Sequence, residues 1–259
     1  MLEGQTMLYN YHTHTSRCKH AVGTDKEYVE KAIAAGIKTL GISDHAPYLF
    51  KNSDYYSSFR MGTDKLQEYA ESVRSLAKEY ADDIRILLGF ELEYYPDFHK
   101  DEMAFLSAVS PDYCIMGQHF SGNEIGEAYT GGGLNQPEQL TRYVSQVLEG
   151  LATGDFLYLA HPDLVGYRFP QEDIQREYRR LCEGAKALKI PLEINLMGLL
   201  TGKHYPNETL FKIAAEVGND VVIGVDAHDP QYLNDPALEN RGLEMANSLG
   251  LKLIIHPLI

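Results

Sequence analysis

The feature that most restricts what this chain can fold into is an alternation: short apolar runs rich in Ile, Val, Leu and Tyr recur between longer amphipathic stretches. Strands separated by helical lengths of chain need crossover connections, so the pattern predicts βα units around a parallel sheet. The expected strands are Met7–Tyr11, Thr39–Ser43, Ile84–Glu93, Tyr113–Gly117, Phe156–Ala160, Leu192–Leu196 and Val221–Val225, with Leu251–Ile255 as a further candidate. Seven or eight such units suggest a barrel. At 259 residues the chain is expected to form one domain, residues 1–259.

Helix signals fall between these runs. Thr24 and Glu27 form a capping box ahead of Tyr28 and Ala32, and Gly36 marks the stop. Asn207 caps the segment holding Leu210 and Ile213, and Asp235-Pro236 opens the last helix. Further helices are expected over Asp64–Tyr80, Pro137–Leu151 and Glu172–Leu188, with long loops at Pro47–Gly62 and Gly122–Gly133. Loops on the C-terminal face of such a barrel build its active site.

Composition excludes several classes. A net charge of -14 without clustered Lys and Arg argues against a grip on DNA or RNA. Met1–Tyr11 lacks the basic start and apolar run of a secretory signal, and no apolar stretch reaches membrane-spanning length, so no membrane association and a cytoplasmic location are expected. Cys18, Cys114 and Cys182 are odd in number and scattered, which predicts free thiols in a reducing compartment.

The chemistry sits at the strand ends. Seven of the ten histidines (His12, His14, His20, His45, His119, His161 and His228) lie at or just beyond the predicted strands. Any one of them alone reads as a hydrogen-bonded structural histidine. Seven at one end of successive parallel strands converge on one face. His12 and His14 alternate onto one side of their strand, close enough to chelate one ion, and Asp226-Ala227-His228 repeats that geometry. Glu91, in a strand reading Ile84-Arg85-Ile86-Leu87-Leu88, needs partners that compensate its lost hydration if it points inward, and metal ions answer that need.

The runs His12-Thr13-His14, Cys18-Lys19-His20, Ser43-Asp44-His45, Gly89-Phe90-Glu91-Leu92-Glu93, Gly117-Gln118-His119, His161-Pro162-Asp163 and Asp226-Ala227-His228 resemble, in order and along nearly the whole chain, the polymerase and histidinol phosphatase (PHP) family. Within it the likeness is nearest to the monofunctional histidinol phosphatases. The resemblance implies a distorted TIM-like (β/α)7 barrel holding three divalent ions, zinc, manganese or iron. His12, His14, Glu91 and Asp226 would hold the first, Glu91, His119 and His161 the second, and His20, His45 and His228 the third. It further implies hydrolysis of a small phosphorylated metabolite, with L-histidinol phosphate foremost, by a metal-bridging hydroxide. Glu91, Asp226 and His228 would act through that hydroxide.

Asp44 either orients a neighbouring imidazole or joins the coordination; Glu93 and Asp163 are similar, weaker candidates. Arg168 is the expected phosphate grip, and Lys203 stands near where the family shows a second arginine, because the chain reads Gly198-Leu199-Leu200-Thr201-Gly202-Lys203. Hydrolysis of a different small phosphate or nucleotide, and a binding module on an inactive barrel, are the alternatives. His99, His204 and His256 read as structural, Cys18 as a small buried side chain, and Tyr94, Tyr129 and Tyr167 as candidate pocket walls.

Overall fold

The computed structural model describes residues 7–51 and 53–259, so the first six residues of the Met1–Tyr11 reading lie outside it. In chain order the elements are β1 (Tyr9–Asn10), α1 (Asp25–Ala34), β2 (Thr39–Ile42), α2 (Leu66–Glu79), β3 (Arg85–Leu92), α3 (His99–Leu106), β4 (Tyr113–Met116), α4 (Pro137–Leu151), α5 (Gln171–Leu188), β5 (Leu192–Asn195), α6 (Leu196–Thr201), α7 (Glu208–Val217), β6 (Asp220–Gly224), α8 (Pro236–Ser248) and β7 (Lys252–Leu253). The Thr24 hydroxyl and Glu27 carboxylate cap α1 reciprocally, while Asn207 and Asp235 cap α7 and α8. Each such cap is worth about 1 kcal/mol. α3 and the short α6 are not foreshadowed by the periodicity.

β1, β2, β3 and β4 form one parallel sheet and β5, β6 and β7 another. Isolated parallel bridges join the two along both seams. Leu159 pairs with Met116 on one side and Leu192 on the other, and Thr13 pairs with Ala227. The chain at 156–160 therefore acts as a stave of seven between β4 and β5, held by single rungs (Leu157 N to Cys114 O and Ala160 N to Met116 O, both 2.8 Å) instead of the ladder expected there. The expected strand at Leu251–Ile255 shrinks to β7, which pairs with the start of β6 (Asp220 with Lys252) and lies outside the seams.

Strand alternation sorts the two faces. Ile86, Leu88, Phe90, Cys114 and Met116 belong to the large core under the helices, whereas Leu87, Tyr113 and Ile115 join Tyr9, Tyr11 and Tyr158 inside the barrel. The Tyr113 ring fits because β2 and β3 carry Gly41 and Gly89 there; a Cβ on either would lie within 2.3 Å of it. This tyrosine floor fills the lower barrel, so the inward positions above it, including Glu91 and Glu193, face the C-terminal mouth.

Candidate metal centre

Glu91 is 1% exposed and is ringed by five imidazoles. Its Oε2 lies 2.9 Å from His45 Nδ1, 3.5 Å from His14 Nε2 and 3.7 Å from His12 Nε2, and its Oε1 lies 2.7 Å from His161 Nε2 and 3.7 Å from His119 Nε2. Asp226 Oδ1 sits 3.1 Å from His14 Nε2, 3.3 Å from His12 Nε2 and 3.3 Å from His228 Nδ1. Ser16–Cys18 form a 3₁₀ turn closed by Lys19 in the left-handed region (φ 72°), which brings His20 Nε2 to 3.0 Å from His228 Nε2. The structure thus draws together nine residues from the ends of six staves and one loop: His12, His14, His20, His45, Glu91, His119, His161, Asp226 and His228.

Supporting groups fix how the rings face. Because a carboxylate only accepts, the ring nitrogen against it carries the proton and the opposite nitrogen presents its lone pair. Glu193 Oε1 accepts from His12 Nδ1 at 2.8 Å, and Glu93 Oε1 from His119 Nδ1 at 2.8 Å. Asp44 Oδ1 lies 3.4 Å from His14 Nδ1 and takes the His45 amide at 2.9 Å, while its other oxygen accepts from Thr15 Oγ1. Asp44 is fully buried, with its two oxygens against the His14 ring, the Thr15 hydroxyl and the His45 amide.

Glu193 and Asn195 were not singled out in the sequence, although they alternate on the inner face of β5 as Glu91 and Glu93 do on β3. Glu193 Oε2 accepts the His161 amide at 2.9 Å, and Asn195 Nδ2 reaches Glu193 at 2.9 Å and Asp226 at 3.1 Å. Two glycines make room: a Cβ on Gly117 or Gly224 would stand 1.8 Å from Glu91 Oε1 or Glu193 Oε1 respectively. His161 (φ 29°) and Asp226 (φ 55°) both hold left-handed backbone, a cost that surrounding structure must impose and that concentrates at functional sites.

Five of the converging atoms, His12 Nε2, His14 Nε2, His45 Nδ1, Glu91 Oε2 and Asp226 Oδ1, are buried without a hydrogen-bond partner among the described residues. Several polar atoms left unpaired at one point are costly unless a cation occupies it. The donor set of imidazole and carboxylate suits zinc, manganese or iron, and groups such as His12–His14–Asp226, His12–Glu91–His161 and His14–His45–His228 each bring their ligand atoms within 4.8 Å of one another.

The buried charges divide the ligands into two groups. Burial pushes the carboxyls of Glu91 and Asp226 up, but the surrounding histidines hold both well below the usual carboxylate range. Burial lowers His20 and His45 and takes His228 down to about 3, so these rings are neutral. Burial also works against protonated His12 and His14, yet Asp226 with Glu193 and Asp44 raises His12 well above its ordinary value and His14 to about 9.

The cluster opens into a cavity of about 770 Å³ lined also by Phe59, Phe120, Tyr129, Lys203, Tyr205 and Asp229. Lys203 stands on its rim. Arg168 is exposed and does not line it, because the chain after the His161 turn runs beside Leu134 (Leu134–Tyr167 bridge) and takes residue 168 past Gly133. Neither forms an ion pair among the described residues. Tyr129 is a wall residue, whereas Tyr94 bonds Glu149 and Tyr167 bonds Asn207 away from the cavity. His99 is tied to Asp155 and His204 to the Leu164 carbonyl, each at 2.7 Å, His256 is exposed, and the three thiols are buried and free.

The chain is similar to known proteins in sequence and in fold. A histidinol phosphate phosphatase from Lactococcus lactis subsp. lactis, solved with zinc, L-histidinol and phosphate, superimposes with a TM-score of 0.72 at 18% identity, covering 96% of this chain and 95% of that one. A Deinococcus radiodurans protein named "Probable histidinol-phosphatase" is 29% identical over 240 residues, 87% of this chain and 88% of its own. The histidinol-phosphatase of Bacillus subtilis is 29% identical over 114 residues, 42% of either chain. No helix among the described residues is long and apolar enough to cross a membrane. The PHP domain profile matches residues 10–196, well over half of the chain, and with the alternating staves and the histidine-ringed Glu91 already described, this protein belongs to the PHP domain family.

Proposed function

We propose that the chain is a cytoplasmic phosphoric monoester hydrolase that converts L-histidinol phosphate to L-histidinol and phosphate at a centre of three divalent ions. His12, His14, Glu91 and Asp226 would hold one ion, Glu91, His119 and His161 a second, and His20, His45 and His228 a third. The observation that carries the reading is the convergence of five buried, unpartnered nitrogen and oxygen atoms on one point around Glu91. When bound, the ions supply activation of water at neutral pH and neutralise phosphate oxygens.

The residues of the chain do the rest. Glu91 would supply charge to neighbouring ions; Glu193, Asp44 and Glu93 stand behind His12, His14 and His119 and turn the opposite ring nitrogen inward. Lys203, on the cavity rim, takes the phosphate, in place of the grip expected from Arg168. Phe59, Phe120 and Tyr129 give the leaving group an apolar wall and keep bulk water from it. The names of the relatives support histidinol phosphate as substrate, and the acid balance of -14 speaks against nucleic acid.

The test is to purify the protein without chelator, measure its metals, and assay a panel of phosphate monoesters that includes L-histidinol phosphate. About three ions per chain and a strong preference for that ester are expected. Fewer than one ion per chain overturns the metal reading, and preference for another ester moves the assignment to a different small phosphate.

A further inference from the structure

Behind His119 lies an arginine that the reaction as described does not use. Arg60 belongs to the 47–62 loop, yet it is only 2% exposed, and its charge is spent between two equally buried carboxylates. One arm of its guanidinium meets Glu93 Oε1 at 3.0 Å, the same oxygen that accepts the proton of His119 Nδ1 at 2.8 Å. Nε and Nη2 together grip Glu124 Oε2 at 3.0 and 2.7 Å, and Nη1 donates to the carbonyl of Ala46, next to His45, at 2.9 Å. Tyr55, of the same loop, closes the set on Glu124 Oε1 at 2.8 Å. Phe59 covers the guanidinium at 4.5 Å and itself lines the cavity.

We propose that Arg60 is a positioning residue for the metal centre: its forked contacts hold Glu93, and so keep His119 in its ligating tautomer, while they fasten the 47–62 loop to the 122–133 loop through Glu124. The inference rests on the function proposed above. Glu93 Oε1 meets both the guanidinium of Arg60 at 3.0 Å and His119 Nδ1 at 2.8 Å, so the place where Arg60 holds this oxygen sets the ring with Nδ1 toward Glu93 and Nε2 toward Glu91, 3.7 Å away. A lysine would keep the charge but could not span both carboxylates and the Ala46 carbonyl in one plane.

The experiment compares Arg60→Lys and Glu124→Gln with the wild-type protein by zinc competition against a chelator, elemental analysis and hydrogen exchange. Arg60→Lys is expected to bind one of the ions roughly 10- to 100-fold more weakly, the range for a lost supporting contact. Glu124→Gln, which leaves the arm to Glu93 and His119 in place, is expected to retain every ion while exchange over 122–133 quickens at least several-fold. Wild-type affinity for all ions in folded Arg60→Lys overturns the proposal, as does an equal loss of ions in both variants. If Arg60→Lys is too unstable to purify, Glu93→Gln examines the same arm from its other end and must lose the same ion; full retention there overturns the proposal. A wild-type protein that binds no zinc defeats the metal reading and this proposal together, whereas three ions in every variant defeats this proposal alone.

Discussion

Replacing Glu91 by glutamine removes one charge and almost no volume, from a side chain that faces His45, His14 and His12 with one oxygen and His161 and His119 with the other at 2.7 to 3.7 Å. The amide turns an N–H donor toward at least two of the nitrogens that must present lone pairs, and it cannot share charge between two ions. At about 4 Å and the effective dielectric of about 20 that suits protein sites, one pair of unit charges is worth about 4 kcal/mol. Loss of that interaction alone corresponds to a fall of about three orders of magnitude in turnover or ion affinity. Glu91→Gln should therefore remain folded, retain fewer ions by elemental analysis, and hydrolyse L-histidinol phosphate about 1,000-fold more slowly or worse, whatever the substrate concentration. Circular dichroism and melting establish that the variant folds before steady-state kinetics are read. Turnover within a few-fold of wild type, with ions retained, would refute the idea that this carboxylate joins the centre.

Three further outcomes follow from the geometry. Lys203→Ala should lower kcat/KM by roughly 10- to 100-fold through loss of a charge-assisted contact of about 1.5–3 kcal/mol, with metal content unchanged, whereas Arg168→Ala should leave kcat/KM within two- or threefold; the reverse order returns the phosphate grip to Arg168. Zinc binding to the stripped protein near pH 7 should release protons, because His14 is raised to about 9 and His12 well above its ordinary value and both must be neutral to ligate; apparent affinity then climbs with pH up to about 9, and calorimetry in buffers of different ionisation heat that detects no release rejects it. Glu102 is fully buried, accepts the Leu49 amide at 2.9 Å, and is raised by burial from 4.5 to about 7. The folded protein thus keeps a proton that the unfolded chain releases, stability falls as pH rises through that window, and Glu102→Gln should gain about 3 kcal/mol over wild type at pH 8 but little at pH 4, a pH-independent difference being the refuting result.

The staves and most helices were legible because burial on both faces leaves an unbroken apolar run and because Thr24, Asn207 and Asp235 announce their helices with side chains that can cap. The centre was legible for a different reason: imidazoles at successive strand ends have no structural need to recur there. Of the layer behind the ligands, Asp44 and Glu93 stand beside motif residues and are legible, whereas Glu193, Arg60 and Glu124 carry no such signal. Glu193 sits between Leu192 and Ile194, and its importance comes from His12, 181 residues away in sequence, which only the closed barrel brings to 2.8 Å. Arg60 and Glu124 lie 64 residues apart in two loops, and no periodicity governs loops. Arg168 shows the converse. Its distance in sequence from the His161-Pro162-Asp163 turn is short, but the chain there pairs with Leu134 and Arg168 is not among the residues lining the cavity, a placement that spacing alone does not carry.

That supporting layer also explains how an acidic chain can prepare a site for an anion. Three of the five imidazoles around Glu91 are each backed by a carboxylate, Glu193 for His12, Asp44 for His14 and Glu93 for His119, and each carboxylate is held by donors other than the ion: Tyr158, Asn195 and the His161 amide for Glu193, Thr15 and the His45 amide for Asp44, Arg60 for Glu93. These donors hold the carboxylates in place before any ion arrives, so little reorganisation is left for the binding step. The negative charge they contribute raises the basicity of the rings and draws divalent ions to the mouth of the barrel. Three divalent ions would bring six positive charges against the five carboxylates of Glu91, Asp226, Glu193, Asp44 and Glu93, and the local field would favour phosphate although the protein as a whole carries -14. The acidity of the chain and the charge of the proposed substrate are compatible because the cations, and not lysine or arginine, set the sign of the field where the ester binds.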